Sequence, residues 1–403
     1  MGEGILSGIR VIDAATYIAA PGAATVLSDF GAEVIKIERP PNGDPYRYLP
    51  QVSGMPLDTD HNYCWLLDGR NKKSVALNLA DDAGREILLR LAVTADVFIT
   101  NFQPQLIVKF RLGYEQMRAA NERLIYASVT GYGEVGPDRE KPGYDMTGYW
   151  ARSGLMDQMH DADAEPALSP AGFGDHPTAM SLFGAILLGL YHRERTGQGL
   201  KVSTTLMANG AWSNSCLMQA ALFGARWPER GTRRRPNNPL VNHYLTRDRR
   251  RFIFCLLDPV NDWPRLCRAM GREELLAEPR FQTPAARREH SGELVEILDG
   301  EFAGRDMAEW AARFAGQDVL FGPVPSIEEA ARDPQMEAAG VISGIENSPL
   351  KTISNPIVVD GVAKTRPQLA PEVGEHSREV LAELGFRDEE IEDLIERRIV
   401  KAS

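Results

Sequence analysis

The hydrophobic pattern of the first half of the chain changes repeatedly between a period of two and a helical period. Short apolar runs predict strands at residues 9–12, 33–37, 74–77, 96–99 and 123–130. Segments with helical periodicity lie between them, at residues 19–30 and 81–91. Because strands that alternate with helices form parallel sheets, the pattern predicts an α/β fold with a mostly parallel sheet.

The second half of the chain has a different pattern. Apolar positions on most sides predict buried helices at 178–194 and 208–223, on either side of a strand at 200–204. A polar, proline-rich stretch then begins at Arg226 and predicts a linker into a smaller domain. Further elements are predicted as a hairpin, 241–246 with 251–256, and as helices near 263–270, 293–302, 307–315, 377–384 and 388–398.

Composition and charge argue against some classes of binding partner. The chain has 403 residues, with 45 Lys and Arg against 56 Asp and Glu, a net charge of −11. This balance argues against a nucleic-acid or anionic membrane partner, so an anionic ligand must be held by a local group of basic residues.

The cysteines and the apolar segments indicate in which cellular compartment the protein is expected. The four cysteines form no C-x-x-C pair and have no histidine at metal-site spacing, which argues against a disulfide framework or a zinc site. Residues 1–7 lack the pattern of an export signal, and the longest apolar run, 182–191, is half a membrane span. We therefore expect a soluble, cytoplasmic protein.

A glycine-rich segment after the fifth predicted strand resembles a nucleotide-binding loop. Residues 131–136, Gly-Tyr-Gly-Glu-Val-Gly, match the pattern G-x-G-x-x-G. A dinucleotide loop must open directly into a helix that holds the pyrophosphate, whereas residues 137–143 predict an irregular loop. We therefore expect this segment to lie over a ligand other than NAD.

Asp175 is the main candidate for covalent chemistry. It lies between Gly174 and a long apolar helix, and His176 follows it. Asp175 could cap the helix, or its carboxylate could be a nucleophile toward an acyl group, kept ionised by backbone N–H groups and the helix dipole. The glycines, Gly172 and Gly174, would let a carbonyl group approach. Because adjacent helical residues do not face each other, we expect His176 to line the site rather than to act as a base.

Basic residues occur at the ends of predicted strands. Lys36 and Arg39 end the second strand, and Arg70, Lys72 and Lys73 precede the third. Strand ends in an α/β sheet bind ligands, so two such clusters in an acidic protein indicate a phosphate-bearing ligand. The arginines at 233–235 and 249–251 are expected to be solvated loop charges.

Motifs along nearly the whole chain resemble those of the class III CoA-transferases, of the formyl-CoA transferase and carnitine CoA-transferase type. The matching segments are residues 6–13, 20–22, 29–40, 43–45, 71–75, 101–102, 143–145, 174–175, 192–199 and 374–377. The resemblance implies a Rossmann-like α/β large domain over residues 1–225, a smaller α+β domain over 226–330, and a C-terminal segment, 331–403, that completes the large domain. It also implies an interlocked homodimer.

The resemblance implies a reaction as well. An acyl-CoA would donate its CoA to a carboxylic acid through an aspartyl anhydride and an aspartyl-CoA thioester on Asp175, with coenzyme A as a substrate and with no metal or prosthetic group. The positions implied to contact CoA or the acyl group are Ile18, Ala19, Arg39, Lys72, Lys73, Asn101, Phe102, Lys109 and Tyr144.

The chain departs from the family pattern in three places. Ile18 replaces a glutamine found in some members, and Gln103 replaces a common basic residue. Residues 237–244 lack the run of glycines expected in a lid for very small acids, which favours a larger or more apolar acyl group.

Two other functions stay open at this point. An α-methylacyl-CoA racemase shares the fold but uses a histidine where this chain has Tyr144, whose ordinary pKa near 10 suits a base poorly. A non-catalytic CoA-binding subunit would lack the nucleophile, whereas Asp175 is present.

Overall fold

A computed structural model describes residues 4–52, 54–56 and 60–402 of the chain. The expectation about an export signal concerns residues 1–7, of which 1–3 lie outside the described residues. No helix in the described ranges has the length and apolar character that a membrane crossing requires.

The secondary structure consists of short strands and mostly short helices. The strands are β1 Arg10–Ala14, β2 Glu33–Glu38, β3 Lys72–Leu77, β4 Val97–Thr100, β5 Ile125–Thr130, β6 Lys201–Thr205, β7 His243–Leu245, β8 Arg251–Phe254, β9 Phe321–Val324, β10 Ile342–Gly344, β11 Lys351–Ile353 and β12 Val400–Lys401. The α-helices are α1 Ala19–Asp29, α2 Leu49–Val52, α3 Tyr63–Gly69, α4 Asp82–Val93, α5 Pro104–Phe110, α6 Tyr114–Ala120, α7 Leu155–Gln158, α8 Asp175–Thr196, α9 Leu206–Ser213, α10 Ser215–Leu222, α11 Asp262–Met270, α12 Pro284–Glu289, α13 Ser291–Phe302, α14 Met307–Gly316, α15 Ile327–Ala330, α16 Pro334–Ala338, α17 Ser377–Glu383 and α18 Asp388–Glu396. Single 3₁₀ turns lie at Pro45–Tyr48 and Glu273–Leu276, and a π-helical turn lies at Asp145–Ala151.

The chain divides into two compact units. The first contains residues 1–158, 168–223 and 339–403, and the second contains 159–167 and 224–338. The first unit is therefore built from three separate stretches of chain.

A seven-stranded sheet forms the centre of the first unit, in the order β12-β3-β2-β1-β4-β5-β6. All neighbouring pairs are parallel except β12 with β3, which confirms the predicted α/β fold with a mostly parallel sheet. The inner strands are almost entirely buried, because helices cover both faces of the sheet, and most of their buried side chains are apolar. One face packs against α1 and α8, and the other packs against α4, α17 and α18.

The second unit has its own core. Strands β7, β8 and β9 form an antiparallel sheet. Its buried face carries Tyr244, Phe252 and Phe254, which pack against Phe302 and Trp310 from α13 and α14. The predicted hairpin and the helices that follow it are confirmed.

One detail of the pattern differs from prediction and another agrees with it. The single helix expected at 208–223 is two helices, α9 and α10, because the backbone at Asn214 leaves helical geometry and its side chain bonds the carbonyl oxygen of Ser153. The predicted loop after β5 is confirmed, since residues 131–143 form no helix. This segment therefore lacks the helix N-terminus on which a dinucleotide loop depends.

Candidate active site

The candidate site begins at the point where the order of the sheet reverses. β1 lies between β2 and β4, so the chain leaves β1 toward one side and later returns on the other. Such a switch point opens a crevice at the carboxyl ends of the strands, where ligands bind. The side chain of Asn101, just after β4, holds the loop after β1 by accepting from the Thr16 N–H (2.9 Å) and donating to the Thr16 carbonyl oxygen (2.8 Å).

Buried charges support the floor of this crevice. Lys36 in β2 is fully buried and lies 2.8 Å from the Asp44 carboxylate and 3.5 Å from Asp13. Lys72 is also buried, and its Nζ lies 2.9 Å from Asp13 and 2.8 Å from the carbonyl oxygen of Pro21. Burial alone raises the pKa of Asp13, but the attraction of Lys36 and Lys72 outweighs it and leaves that pKa lowered. Asp44 accepts from the Tyr17 N–H, so the network fixes the same loop.

Close packing of two helices brings the candidate nucleophile to this loop. At Gly22 in α1 an added Cβ would lie 3.0 Å from the Cβ of Ala179 in α8, which is closer than ordinary van der Waals contact, so the two helices approach each other closely there. At Gly172, just before α8, an added Cβ would lie 3.4 Å from Cδ1 of Ile18. The turn that carries Asp175 therefore lies against the start of α1.

Asp175 is the first residue of α8 but does not cap it. The N-cap position is Gly174, and no side chain makes a cap hydrogen bond there. No part of the chain that the structure describes makes a hydrogen bond or ion pair with the half-buried Asp175 carboxylate. The capping interpretation is therefore wrong, and the carboxylate is left unused by the fold.

The backbone donors expected to serve Asp175 are used by a second carboxylate. Asp145, in the π-helical turn, is buried and accepts from the Gly174 N–H at 3.0 Å. An added Cβ at Gly174 would lie 2.2 Å from Cγ of Tyr149 and 2.6 Å from Oδ1 of Asp145, so this contact requires glycine. In the sequence Asp145 stands out only as part of the family motif at 143–145, because its contact with the turn depends on tertiary structure.

The environment makes Asp175 hard to ionise. Burial, followed by repulsion from Asp145, raises the pKa of Asp175 to about 7, and the positive charge of His176 opposes this rise. The expectation that backbone N–H groups keep Asp175 strongly ionised is therefore wrong, because the nearest N–H donates to Asp145 instead. An Asp with a pKa near 7 is a carboxylate of raised basicity at neutral pH.

His176 belongs to a chain of hydrogen bonds that the sequence does not indicate. Its Nε2 lies 3.3 Å from Oδ2 of Asp68, and its Nδ1 lies 3.2 Å from the carbonyl oxygen of Gly172. The same oxygen of Asp68 accepts from the Tyr46 hydroxyl at 2.9 Å. Burial lowers the pKa of His176, but Asp68 outweighs this effect and raises the pKa to about 9.

Most of the predicted CoA-contacting residues lie together at the carboxyl edge of the sheet. Ile18 and Ala19 follow β1, Arg39 follows β2 and is exposed, and Asn101 and Phe102 follow β4. These three strands are neighbours in the sheet. The ring of Tyr144, which is 59% exposed, packs edge-to-face on Tyr17 of the β1 loop with 5.8 Å between ring centroids.

The three predicted lysines lie in two different places. Lys72 and Lys73 begin β3, at the amino edge of the parallel sheet, because Lys72 is in register with Val34 near the start of β2. Lys73 is bound by Glu33, Glu379 and Glu383 at 2.8–3.3 Å. Lys109 is exposed on α5, with its Nζ 5.8 Å from the centre of the Phe110 ring.

The predicted family agrees with comparison to known proteins. Residues 6–377 match the model of the CoA-transferase family III. The chain belongs to this family. It is 32% identical to an (R)-2-hydroxy-4-methylpentanoate CoA-transferase of Clostridioides difficile, over 98% of this chain and all of that one. It is 31% identical to a cinnamoyl-CoA:phenyllactate CoA-transferase of Clostridium sporogenes, over 97% and 96% of the two chains.

A solved structure supports the same assignment. A CAIB/BAIF family protein from Brucella suis superimposes with a TM-score of 0.84 at 28% identity, over 95% of this chain and all of that one. As a member of CoA-transferase family III, the chain is an enzyme of the CoA-transferase class.

Proposed function

We propose that the enzyme transfers CoA from an acyl-CoA to a carboxylic acid through covalent intermediates on Asp175. One observation carries the proposal. The Asp175 carboxylate lies half-buried beside the switch-point crevice, and it makes no hydrogen bond within the described part of the chain. A half-buried carboxylate that the fold does not use, with a pKa moved to about 7, is typical of a catalytic residue.

The proposed reaction proceeds by carboxylate and thiolate attack. An oxygen of Asp175 attacks the thioester carbonyl and the C–S bond breaks. CoA leaves as a thiolate, and the acyl group stays on Asp175 as a mixed anhydride. The thiolate then attacks the aspartyl carbonyl, the anhydride C–O bond breaks, and the donor acid leaves as a carboxylate. The acceptor carboxylate repeats both steps in reverse from the aspartyl-CoA thioester. Atoms and electrons balance without an oxidant, a reductant or water.

We place CoA along the carboxyl edge of β2, β1 and β4. Ile18, Ala19, Asn101 and Phe102 would form the wall, and Arg39 is the exposed cation at that edge. Tyr144 and Lys109 complete the proposed contacts. The buried Lys72 would not contact CoA itself but would hold Asp13 and the start of α1 in place. Lys73 has no part in this proposal, because three carboxylates at the opposite edge hold it.

We propose an acyl group larger or more apolar than a one- or two-carbon acid. The missing glycine run at 237–244 supports this. The two relatives described above also carry the names of a branched and an aromatic acid, (R)-2-hydroxy-4-methylpentanoate and phenyllactate.

We also propose that the enzyme is an interlocked homodimer in the cytoplasm. Helices α9 and α10 and the residue after them expose large apolar side chains, with Trp212 80%, Leu222 76% and Phe223 82% exposed. A second copy of the chain would cover such a surface. All four cysteines are free thiols, which suits a reducing compartment.

Intact mass spectrometry tests the covalent mechanism. The enzyme is incubated with a panel of acyl-CoAs and the protein is examined for a CoA adduct, which hydroxylamine should convert to a hydroxamate on the peptide that contains Asp175. The Asp175→Asn variant is the matched control and should form no adduct. Exchange of an α-proton with solvent, without any adduct, would indicate a racemase and overturn the proposal.

A further inference from the structure

The nucleophile lies in an unusually acidic environment. Asp145 and Asp68 both repel the negative charge of Asp175, and Asp145 accepts the N–H of Gly174, next to Asp175. Among the described residues, His176 is the one positive charge that acts on Asp175 appreciably. Burial and Asp145 have larger effects on the pKa of Asp175, but His176 is the charge that makes Asp175 easier to ionise.

The fold holds the His176 ring by both of its nitrogens. Nδ1 lies 3.2 Å from the Gly172 carbonyl oxygen, which can only accept, so this nitrogen carries a proton. Nε2 lies 3.3 Å from the Asp68 carboxylate, so a second proton is favoured there if Asp68 is ionised. With a proton on both nitrogens the ring is a cation.

Asp68 is built to remain ionised. It is buried at the end of α3, and its Oδ2 accepts from the Tyr46 hydroxyl as well as from His176. Burial raises its pKa, but His176, Tyr46 and the more distant Lys72 together outweigh burial and lower it. The cluster also contains the thiol of Cys64, beside Tyr46, and the hydroxyl of Tyr63, beside Cys64. Burial raises the pKa of both groups, so both stay neutral.

We propose that Asp68 and His176 are positioning residues: the Asp68 carboxylate holds the His176 ring as a cation beside Asp175, and this cation favours the ionised, nucleophilic form of Asp175. This inference rests on the proposed function of Asp175. Tyr46 supports the arrangement by orienting Asp68. The bond from His176 to Gly172 also fixes the turn before α8, whose Gly172 has φ +77°.

The proposal predicts an effect of Asp68→Asn on the pKa of Asp175 that is opposite to the effect expected from charge repulsion alone. The Asp68→Asn change removes a negative charge near Asp175, which by itself would make Asp175 easier to ionise. It also removes the group that keeps His176 charged, which would make Asp175 harder to ionise. The effect of His176 on Asp175 is larger than that of Asp68. Asp68→Asn should therefore raise the pKa of Asp175.

The test measures ionisation of Asp175 directly and through turnover. An isoxazolium reagent that reacts with carboxylates labels the protein from pH 5 to 9, and peptide mass spectrometry quantifies the label on Asp175. The acid limb of kcat/KM is measured in parallel with an acyl-CoA that gives turnover. Asp68→Asn and His176→Gln should each lower labelling and kcat/KM at least about threefold at pH 6, with rates converging toward wild type at pH 9.

A double variant provides the sharpest criterion. Once His176→Gln has removed the cation, adding Asp68→Asn can only remove repulsion, so it should shift the acid limb back to lower pH. Asp68→Glu should restore part of the wild-type profile. A downward shift in Asp68→Asn alone, or pH profiles that do not move, would overturn the proposal.

Two controls separate this inference from other causes. Asp29→Asn removes a different buried carboxylate, paired with Arg70 at 2.7 Å, and should lower thermal stability without moving the pH profile. The wild-type CoA adduct on Asp175 tests the covalent mechanism itself. If that adduct forms while Asp68→Asn leaves the profile unchanged, the positioning role fails and the proposed function stands.

Discussion

Asp175→Asn should make the protein more stable at alkaline pH. In the folded protein the pKa of Asp175 is about 7, against an ordinary value of 3.8. The folded state therefore binds the proton more tightly than the unfolded state, and stability is lost as the pH rises from 3.8 through about 7. A difference of about three pKa units corresponds to about 4 kcal/mol, and about half of this remains after allowance for the partial exposure of the side chain.

The asparagine variant has no charge to bury, so it should avoid this loss. At about 2 °C per kcal/mol for a chain of this size, its melting temperature should exceed that of wild type by about 4 °C at pH 8. The gain in melting temperature should shrink below about 2 °C at pH 5, because the Asp175 carboxyl group of the folded wild-type protein is then mostly protonated.

Differential scanning fluorimetry from pH 5 to 9 measures this gain. Asp360→Asn, which changes an exposed carboxylate in a turn of the same unit, is the control and should leave the melting temperature unchanged at every pH. Two results would refute this reasoning: equal melting temperatures of Asp175→Asn and wild type at pH 8, or a gain that does not depend on pH. Either result would mean that the charge of Asp175 does not destabilise the folded protein.

Three further predictions test other parts of the structure. Gly174→Ala places a Cβ 2.2 Å from Cγ of Tyr149, so turnover should fall more than about tenfold while circular dichroism shows a folded protein. Arg39→Ala should raise KM severalfold for every acyl-CoA, whereas Lys73→Ala should leave KM unchanged; equal effects in steady-state kinetics would contradict the assignment of sheet edges. Lys36→Met leaves Asp13 buried beside one fewer cation, and denaturant titration should show a loss of about 3–5 kcal/mol.

The pattern of the sequence was sufficient for the fold class. Apolar runs such as 33–37 form strands wherever both faces of the sheet are covered, and that rule needs no knowledge of the partners. Capping is similarly local, and Asp81 accepts from the Ala83 N–H at the start of α4. The motifs are also sufficient to identify the family without any geometry.

Local rules failed where a side chain could serve either backbone or chemistry. Asp175 stands where a capping residue is common, yet the N-cap is Gly174, and the Gly174 N–H donates to Asp145, 29 residues earlier in the chain. Lys73 shows the same limit. Its place before a strand indicated a ligand site, but only the parallel register shows that β3 begins at the opposite edge from the crevice.

By itself, then, the sequence determined the parallel α/β sheet, the glycines at the turn and the identity of the candidate nucleophile, because each of these depends on neighbours within a few residues. The tertiary structure alone decided the electrostatics of that nucleophile. Asp68 and His176 are 108 residues apart, and the chain offers 56 acidic residues as possible partners for one histidine. Which of them is buried against His176 depends on how α1, α3 and α8 pack, and pKa values follow from burial and distance rather than from sequence order.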